Sequence, residues 1–499
     1  MKQIFALIIL ILFAFLTACG GNSENQAKQE KQPDAANSSD ISADAAEKTT
    51  EPRIYPDLAP QDFGGHEFTF LVAAKSWVDW TEDHRDIFAE SINGDIINDA
   101  VFNRNKKIEE KYNIKISQVV KVDDAFSSTI RKAVKAGDDM YDAVSPLLNE
   151  FGALAQEGNL VDLFKMPVID LANPWWNQGS VRDLSLMHKS FIVQGDLLTV
   201  DNDAMEVMIF NKNLLKENAL ETPYDIVQRG EWTFEKLLEM CKGISKDLNG
   251  DGKMYIKDDL FGCITQADTT NSFIVSGGEK IAAKDENDLP VITFGAERCY
   301  RILEIMSELL LDENITVNLH RYVNQFPVYE EQTKMFSEDR ALFSWIRMEV
   351  VERLRGMETD FGIIPCPKLD KAQEKYITHN NPWTGAGLSV PTAASDLERT
   401  GMILEDLCAE SKYVLQPAYY EINLKGKYVR DDESQAMLDI ILNNTAYDIG
   451  YIYNFGNFGM TILYYPKDFK DNYASAFDKM ERAMEKDIEK MIKAYEKLD

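Results

Sequence analysis

His66-Glu67-Phe68-Thr69-Phe70-Leu71-Val72 and, further along, Ile114-Lys115-Ile116-Ser117-Gln118-Val119-Val120 decide the fold. The first stretch alternates and then turns continuously apolar, the pattern of a strand entering a buried sheet. Between the two, residues 98–112 carry Ala100, Val101, Ile108 and Tyr112 amid Arg, Lys and Glu, an amphipathic pattern at helical spacing. Strand, helix, strand is a βαβ unit. The rhythm continues with a helix over 127–136, a strand over 141–145, a helix over 150–157 and the apolar run Leu160-Val161-Asp162-Leu163. Alternating elements predict an α/β sheet with helices on both faces.

Working outward to the N-terminus, Lys2 precedes an apolar run from Ile4 to Leu16 and then Leu16-Thr17-Ala18-Cys19. The run is short for a membrane span and reads as an export signal with a small-residue cleavage site. That context resembles the bacterial lipobox, which implies lipidation of Cys19, a palmitate-type anchor and removal of residues 1–18. Residues 19–60 are Asn, Ser, Glu, Gln, Lys, Ala and Asp with almost no large apolar side chains, a disordered tether. The expected location is the extracellular face of the cell membrane, held by lipid.

The remaining body, about 440 residues, exceeds one core and should divide into two or more domains. A formal net charge of -30 opposes binding to nucleic acid or to anionic lipid and leaves a neutral ligand or a basic partner surface. Besides Cys19, five cysteines are scattered without C-x-x-C spacing, so buried free thiols are expected.

Past residue 190 the chain predicts strands at 191–196 and 205–210, then a helix from Asn211. Thr233 reads as an N-cap, although Lys236 leaves the capping box incomplete. A strand at 341–345, a helix at 348–356 and a strand at 361–365 follow. Near the C-terminus, Phe477, Met480, Met484, Ile488, Met491 and Tyr495 form a packing stripe at helical spacing.

Several of these stretches, in order, resemble the bacterial extracellular solute-binding protein family 1, the sugar-binding lipoproteins of ABC importers. Tyr141-Asp142-Ala143-Val144 looks like the family's early strand, and Ile209-Phe210-Asn211-Lys212-Asn213-Leu214-Leu215 like its entry into the second lobe. Glu231-Trp232-Thr233-Phe234-Glu235 is similar to a helix start, without its proline. Ala341-Leu342-Phe343-Ser344 resembles a strand motif but lacks the glycine, and Phe361-Gly362-Ile363-Ile364-Pro365-Cys366-Pro367 matches x-G-x-x-P-x-P. The resemblance implies two α/β lobes of the type II periplasmic-binding-protein fold, joined by crossing strands, with a ligand in the cleft. On this reading residues 61–203 and 338–390 make lobe 1, and 204–337 and 391–499 make lobe 2. The implied partners are a small molecule, an oligosaccharide, and the ABC permease subunits, with the chain itself a monomer.

Sugars need flat apolar faces for their C–H side and polar groups for their hydroxyls. Candidate positions are Trp77 and Trp80 after the first strand, Trp175 and Trp176, Asp201 and Asp203 near a crossing, Trp345 and Arg347 at a strand end, and Trp383 in the turn-rich Asn380-Asn381-Pro382-Trp383-Thr384-Gly385. Trp232 is assigned to packing. A second motif, Asp247-Leu248-Asn249-Gly250-Asp251-Gly252-Lys253 with Asp258 at the twelfth place, reads as a structural calcium loop. Oxygens of Asp247, Asn249 and Asp251, the Lys253 carbonyl and Asp258 would supply the ligands, with Asp259 as substitute for Asp258. No H-E-x-x-H, G-x-S-x-G or P-loop spacing occurs, and no catalytic residue is assigned. A glycoside hydrolase, or a receptor presenting its ligand to a sensor kinase, are the rival readings.

Overall fold

Strand β1 (His66–Ala74) pairs in parallel with β2 (Ile114–Val122) along its whole length, His66 facing Ile114 and Ala74 facing Val122. The computed structural model describes residues 52–74, 85–122, 124–295, 297–420, 432–464 and 466–498. Helix α1 (Ile96–Tyr112) connects the two strands. It begins where the Asp95 carboxylate accepts the N–H groups of Ile97 and Asn98, and it ends at Asn113 in the left-handed region, a conformation asparagine tolerates. β3 (Ala143–Ser145) lies parallel on the other side of β1, and helices α2 (Asp124–Ala136) and α3 (Leu148–Gln156) follow β2 and β3. A late segment completes this sheet: Ser389 bridges Val144 and Leu388 bridges Val193, both antiparallel.

The first sheet buries Phe68, Phe70 and Val72 against Ile108 and Tyr112 of α1 and against Leu404 and Leu407 of the helix Leu397–Ala418. Lys111 and the Tyr112 hydroxyl both donate to Asp406 at 2.5 Å, pinning α1 to that helix.

A second sheet has the order β10-β4-β9-β5-β8. Its strands are β4 (Glu206–Asn211), β5 (Phe261–Thr265), β8 (Thr316–Asn318), β9 (Ala341–Arg347) and β10 (Phe361–Ile364). Strands β6 (Ala282–Lys284) and β7 (Pro290–Ile292) form a hairpin, and β11 (Thr378–His379) pairs with β12 (Thr445–Ala446). All residues of β4, β5, β9 and β10 are buried, so these strands read as near-continuous apolar runs. Thr233 caps its helix as expected, accepting the Lys236 N–H at 3.3 Å. Trp232 is fully buried and donates its indole N–H to the Pro365 carbonyl.

The lobe boundaries differ from the expectation in two places. Strands β9 and β10 pair with β4 and so belong to the second sheet, in contrast to the expected placement of 338–390 in the first lobe. Helix Leu397–Ala418 packs on α1 in the first, where 391–499 had been assigned to the second. The first follows from pairing, because a buried strand goes where its register partners are and short strand motifs carry no label for their sheet; the second follows from burial of Leu404 and Leu407 against Phe68, Phe70 and Ile108. The expected strand at 191–196 is present only as isolated bridges at Val193 and Gly195.

The C-terminal stripe lies on one helix, Pro466–Tyr495, and buries Phe477, Met484, Ile488, Met491 and Tyr495. Cys241, Cys263, Cys299, Cys366 and Cys408 are free and buried. No helix among the described residues is long and apolar enough to cross a membrane. Cys19 lies outside the described residues.

Candidate functional site

Strand β5 runs parallel to both β8 and β9, so the three share a carboxyl edge. An open α/β sheet leaves its crevice outside that edge. A cavity of about 430 Å³ is found there, within the range of small-molecule sites. Gln266, Ala267 and Asp268 directly follow β5, His320 follows β8, and Pro327, Val328, Tyr329 and Glu330 come from the start of the helix Val328–Ser337. Val323, Arg353, Trp383, and Met460 and Leu463 of the helix Phe458–Tyr464 complete the wall. Apolar side chains predominate, with a few polar groups among them.

Trp383, Gln266, Asp268 and Tyr329 are held from behind. Trp383 donates its indole N–H to the Tyr451 hydroxyl at 2.9 Å, which fixes the ring. Tyr451 stacks on His379 with ring centroids 5.9 Å apart. Burial pushes His379 down to about 3, so that ring is neutral. Gln266 donates to Gln332, which donates in turn to the Ser344 hydroxyl at 2.9 Å and the Trp345 carbonyl at 2.8 Å on β9.

Behind the cavity wall lies Arg347, the last residue of β9 and only 2 % exposed. It donates through Nη1 to Asp268 at 3.2 Å and through Nε to Glu349 at 2.6 Å, and it lies over the Tyr329 ring, 4.7 Å from the centroid. Its Nη2 is buried without a hydrogen-bond partner. Burial works against the guanidinium charge, but Tyr329, Glu349, Asp268 and Glu206 outweigh it and hold Arg347 firmly protonated. The arrangement presents a carboxylate and a phenol ring to the cavity with orientations set from beneath. It makes a preorganised acceptor of hydroxyl protons in the cavity that Trp383 also lines.

Of the sequence candidates, Trp383 lines the cavity, and Arg347 stands one layer behind it on Asp268 and Tyr329. Trp345 is buried in the core, where it donates to the Ser272 hydroxyl and stacks on Phe273. Trp175 and Trp176 are buried in the first lobe, both indoles donating to Glu405, at 3.1 and 3.0 Å, with Asn173 adding a third donor at 2.6 Å. A carboxylate that satisfies two indole N–H groups makes full burial of both rings affordable, and burial has pushed Glu405 up to about 7. Asp201 and Asp203 sit at the lobe crossing, outside the cavity wall. Trp77 and Trp80 lie outside the described residues. Sequence reasoning missed Asp268, Tyr329 and His320. The signal was available, since Gln266-Ala267-Asp268 directly follows a buried parallel strand, the same rule that singled out Trp77.

The loop at 247–259 makes the turn a calcium site needs, with Gly252 at φ +81° and Asp247 accepting the Gly250 and Gly252 N–H groups at 2.7 Å each. Asn249 and Asp251 accept the N–H groups of Asp251 and Lys253. The closing carboxylate departs from the expectation. Asp258 is exposed, while Asp259 is buried and spends both oxygens on the Leu248 and Tyr255 N–H groups. Among the described residues no three His, Cys, Asp or Glu side chains are grouped to hold a metal ion.

No family model matches the chain, and no curated relative does. Solved structures do. UspC of M. tuberculosis aligns at TM-score 0.53 and 12% identity, over 83% of this chain and 100% of that one. A cyclo/maltodextrin-binding protein complexed with maltotetraose aligns at 0.52 and 12%, over 86% and 97%. The ABC substrate-binding protein Lmo0181 from Listeria monocytogenes, in complex with cycloalternan, aligns at 0.50 and 13%, over 86% and 98%. The fold is therefore that of the two-lobed α/β binding proteins, type II, with its lobes joined by hinge-crossing strands.

Proposed function

We propose that this chain is the solute-binding component of an ABC importer and that it captures a carbohydrate, a neutral oligosaccharide, by closing two lobes on it. One observation carries the reading: in a fold shared with sugar-bound proteins, the cavity at the carboxyl edge of β5, β8 and β9 is lined by both Trp383 and the braced Asp268. A pyranose presents matching surfaces, an apolar C–H face and a rim of hydroxyl donors. No bond of the ligand is broken. Contacts from both lobes favour the closed form, and release to a membrane permease reopens it.

The proposal includes a lipid anchor at Cys19 and a place on the outer face of the cell membrane. Calcium is included only as a structural ion, with Asp258 turned inward to complete Asp247, Asn249, Asp251 and the Lys253 carbonyl. The test is a thermal-shift screen of mono- and oligosaccharides on the body, because a ligand bound only by the native state raises its melting point. At least one sugar is expected to raise it and to shrink the scattering radius without being hydrolysed. Stabilisation by peptides alone, or cleavage of the bound sugar, would overturn the reading.

A further inference from the structure

Three passes of chain between the two sheets meet in one acid-rich knot. Asp201 and Asp203 lie on the first pass, in the turn Val200–Asp203, and Glu206 opens β4. From the second pass, Asn380 donates to the Asp201 carbonyl at 2.7 Å, and Asn381 donates through its side chain to Glu206 at 3.1 Å and through its backbone to Ala204 at 3.0 Å. From the third, Gln416 donates to the Asp196 and Leu198 carbonyls, and the Tyr419 hydroxyl donates to Asp203 at 2.7 Å. Any relative movement of the lobes must work through these ties.

Compensating charge is short there. The Asp201 carboxylate accepts the Asn202 N–H and otherwise faces Asp86, Asp196, Asp203 and Tyr447. Asp203 faces Arg85, Asp86 and Glu349 besides Tyr419, and Glu206 faces Arg347, Asp268 and Glu349 besides Asn381. Asp86 is engaged by the Thr199 and Val200 N–H groups and by the field of Arg104, while Asp196 pairs with Lys412 at 3.5 Å. Carboxylates so placed gain more by taking up a proton than by staying charged in low dielectric.

We propose that this knot is a proton-operated latch on lobe movement: proton uptake by Asp201, Asp203 and Glu206 holds the three passes packed together, and proton loss loosens them. In the packed form burial raises Asp203 to about 7, Glu206 to about 8, and Asp201 well above the ordinary carboxylate range. When water reaches them they return toward about 4. The packed form binds the extra protons, so its advantage is complete below the ordinary range and is lost as pH rises through 7 and 8. The latch stands whatever occupies the cavity, and its test needs no ligand.

Hydrogen exchange on the full chain, corrected for the intrinsic pH dependence of amide exchange, reads the opening directly. Peptides covering 196–206 and 378–388 should open about tenfold more per pH unit, for each proton released, between about pH 5 and pH 7, and progressively less steeply as Asp203 and then Glu206 lose their protons near 7 and 8. Peptides covering β1 and β2 should not follow. The double variant D203N/E206Q should flatten the rise. A pH-independent opening of the crossing peptides, an equal rise in β1 and β2, or an unchanged slope in the variant overturns the latch. Should that variant fail to fold, infrared spectroscopy of the native chain decides. Protonated-carboxyl intensity still present at about pH 8, a unit above Glu405, supports the latch, and its absence there overturns it.

Discussion

Replacing Arg347 with methionine removes a charge while keeping much of the side-chain length. The structure sets the size of the effect. Arg347 is 2 % exposed and its partner Glu349 is 7 % exposed, so the variant strands a buried carboxylate, a loss of about 3–5 kcal/mol. Asp268 is 21 % exposed and can turn to water, which discounts its share. Glu206 loses a stabilising field but keeps its Asn381 bond. A net loss of about 3 kcal/mol follows, read as a urea midpoint lowered by about 1 M near neutral pH. Circular dichroism and tryptophan fluorescence should be traced together, because two lobes need not unfold in one step. Adding E349Q and D268N should restore most of the loss. A deficit under about 1 kcal/mol, or no recovery in the triple variant, would refute the view that Arg347 is held by buried ion pairs.

Trp383→Ala should weaken the best sugar from the screen by about thirtyfold, near 2 kcal/mol of lost apolar contact, in titration calorimetry, and unchanged affinity would move the binding site elsewhere. Gly401→Ala would set a Cβ 2.1 Å from the Pro167 carbonyl oxygen, so a loss of about 1–3 kcal/mol and a lower melting point are expected, and an unaffected melting point would refute the close approach of the helix Leu397–Ala418 to the Pro167 backbone. Calcium at about 1 mM should raise the unfolding midpoint relative to chelator in the native chain and not in D247N, and identical midpoints would retire calcium from the loop.

Much of the fold was legible because its signals are local. The β1–α1–β2 unit was readable from alternation and helical spacing, and the helix that starts after Asn211 from the apolar run ahead of it. Lobe membership of β9 and β10 was not, because it rests on pairing with β4 across more than a hundred residues. The tryptophans show the same limit at the site. Trp175, Trp176 and Trp383 look alike in sequence, and what separates them is Glu405, on a helix distant in the chain, which draws the first two inward. Asp268 gains its role from Arg347, and that pairing is equally long-range.

The first sheet is finished late. Its edge at Val144 and Val193 is covered by Leu388 and Ser389, and its outer face by the helix Leu397–Ala418. A chain emerging from the ribosome or a translocation pore N-terminus first cannot complete either half before most of its length is out, so folding must wait for the whole. Truncation ahead of residue 388 would leave an open β-edge ready to pair with another copy, and cutting the gene between apparent halves would yield two fragments that aggregate rather than two domains.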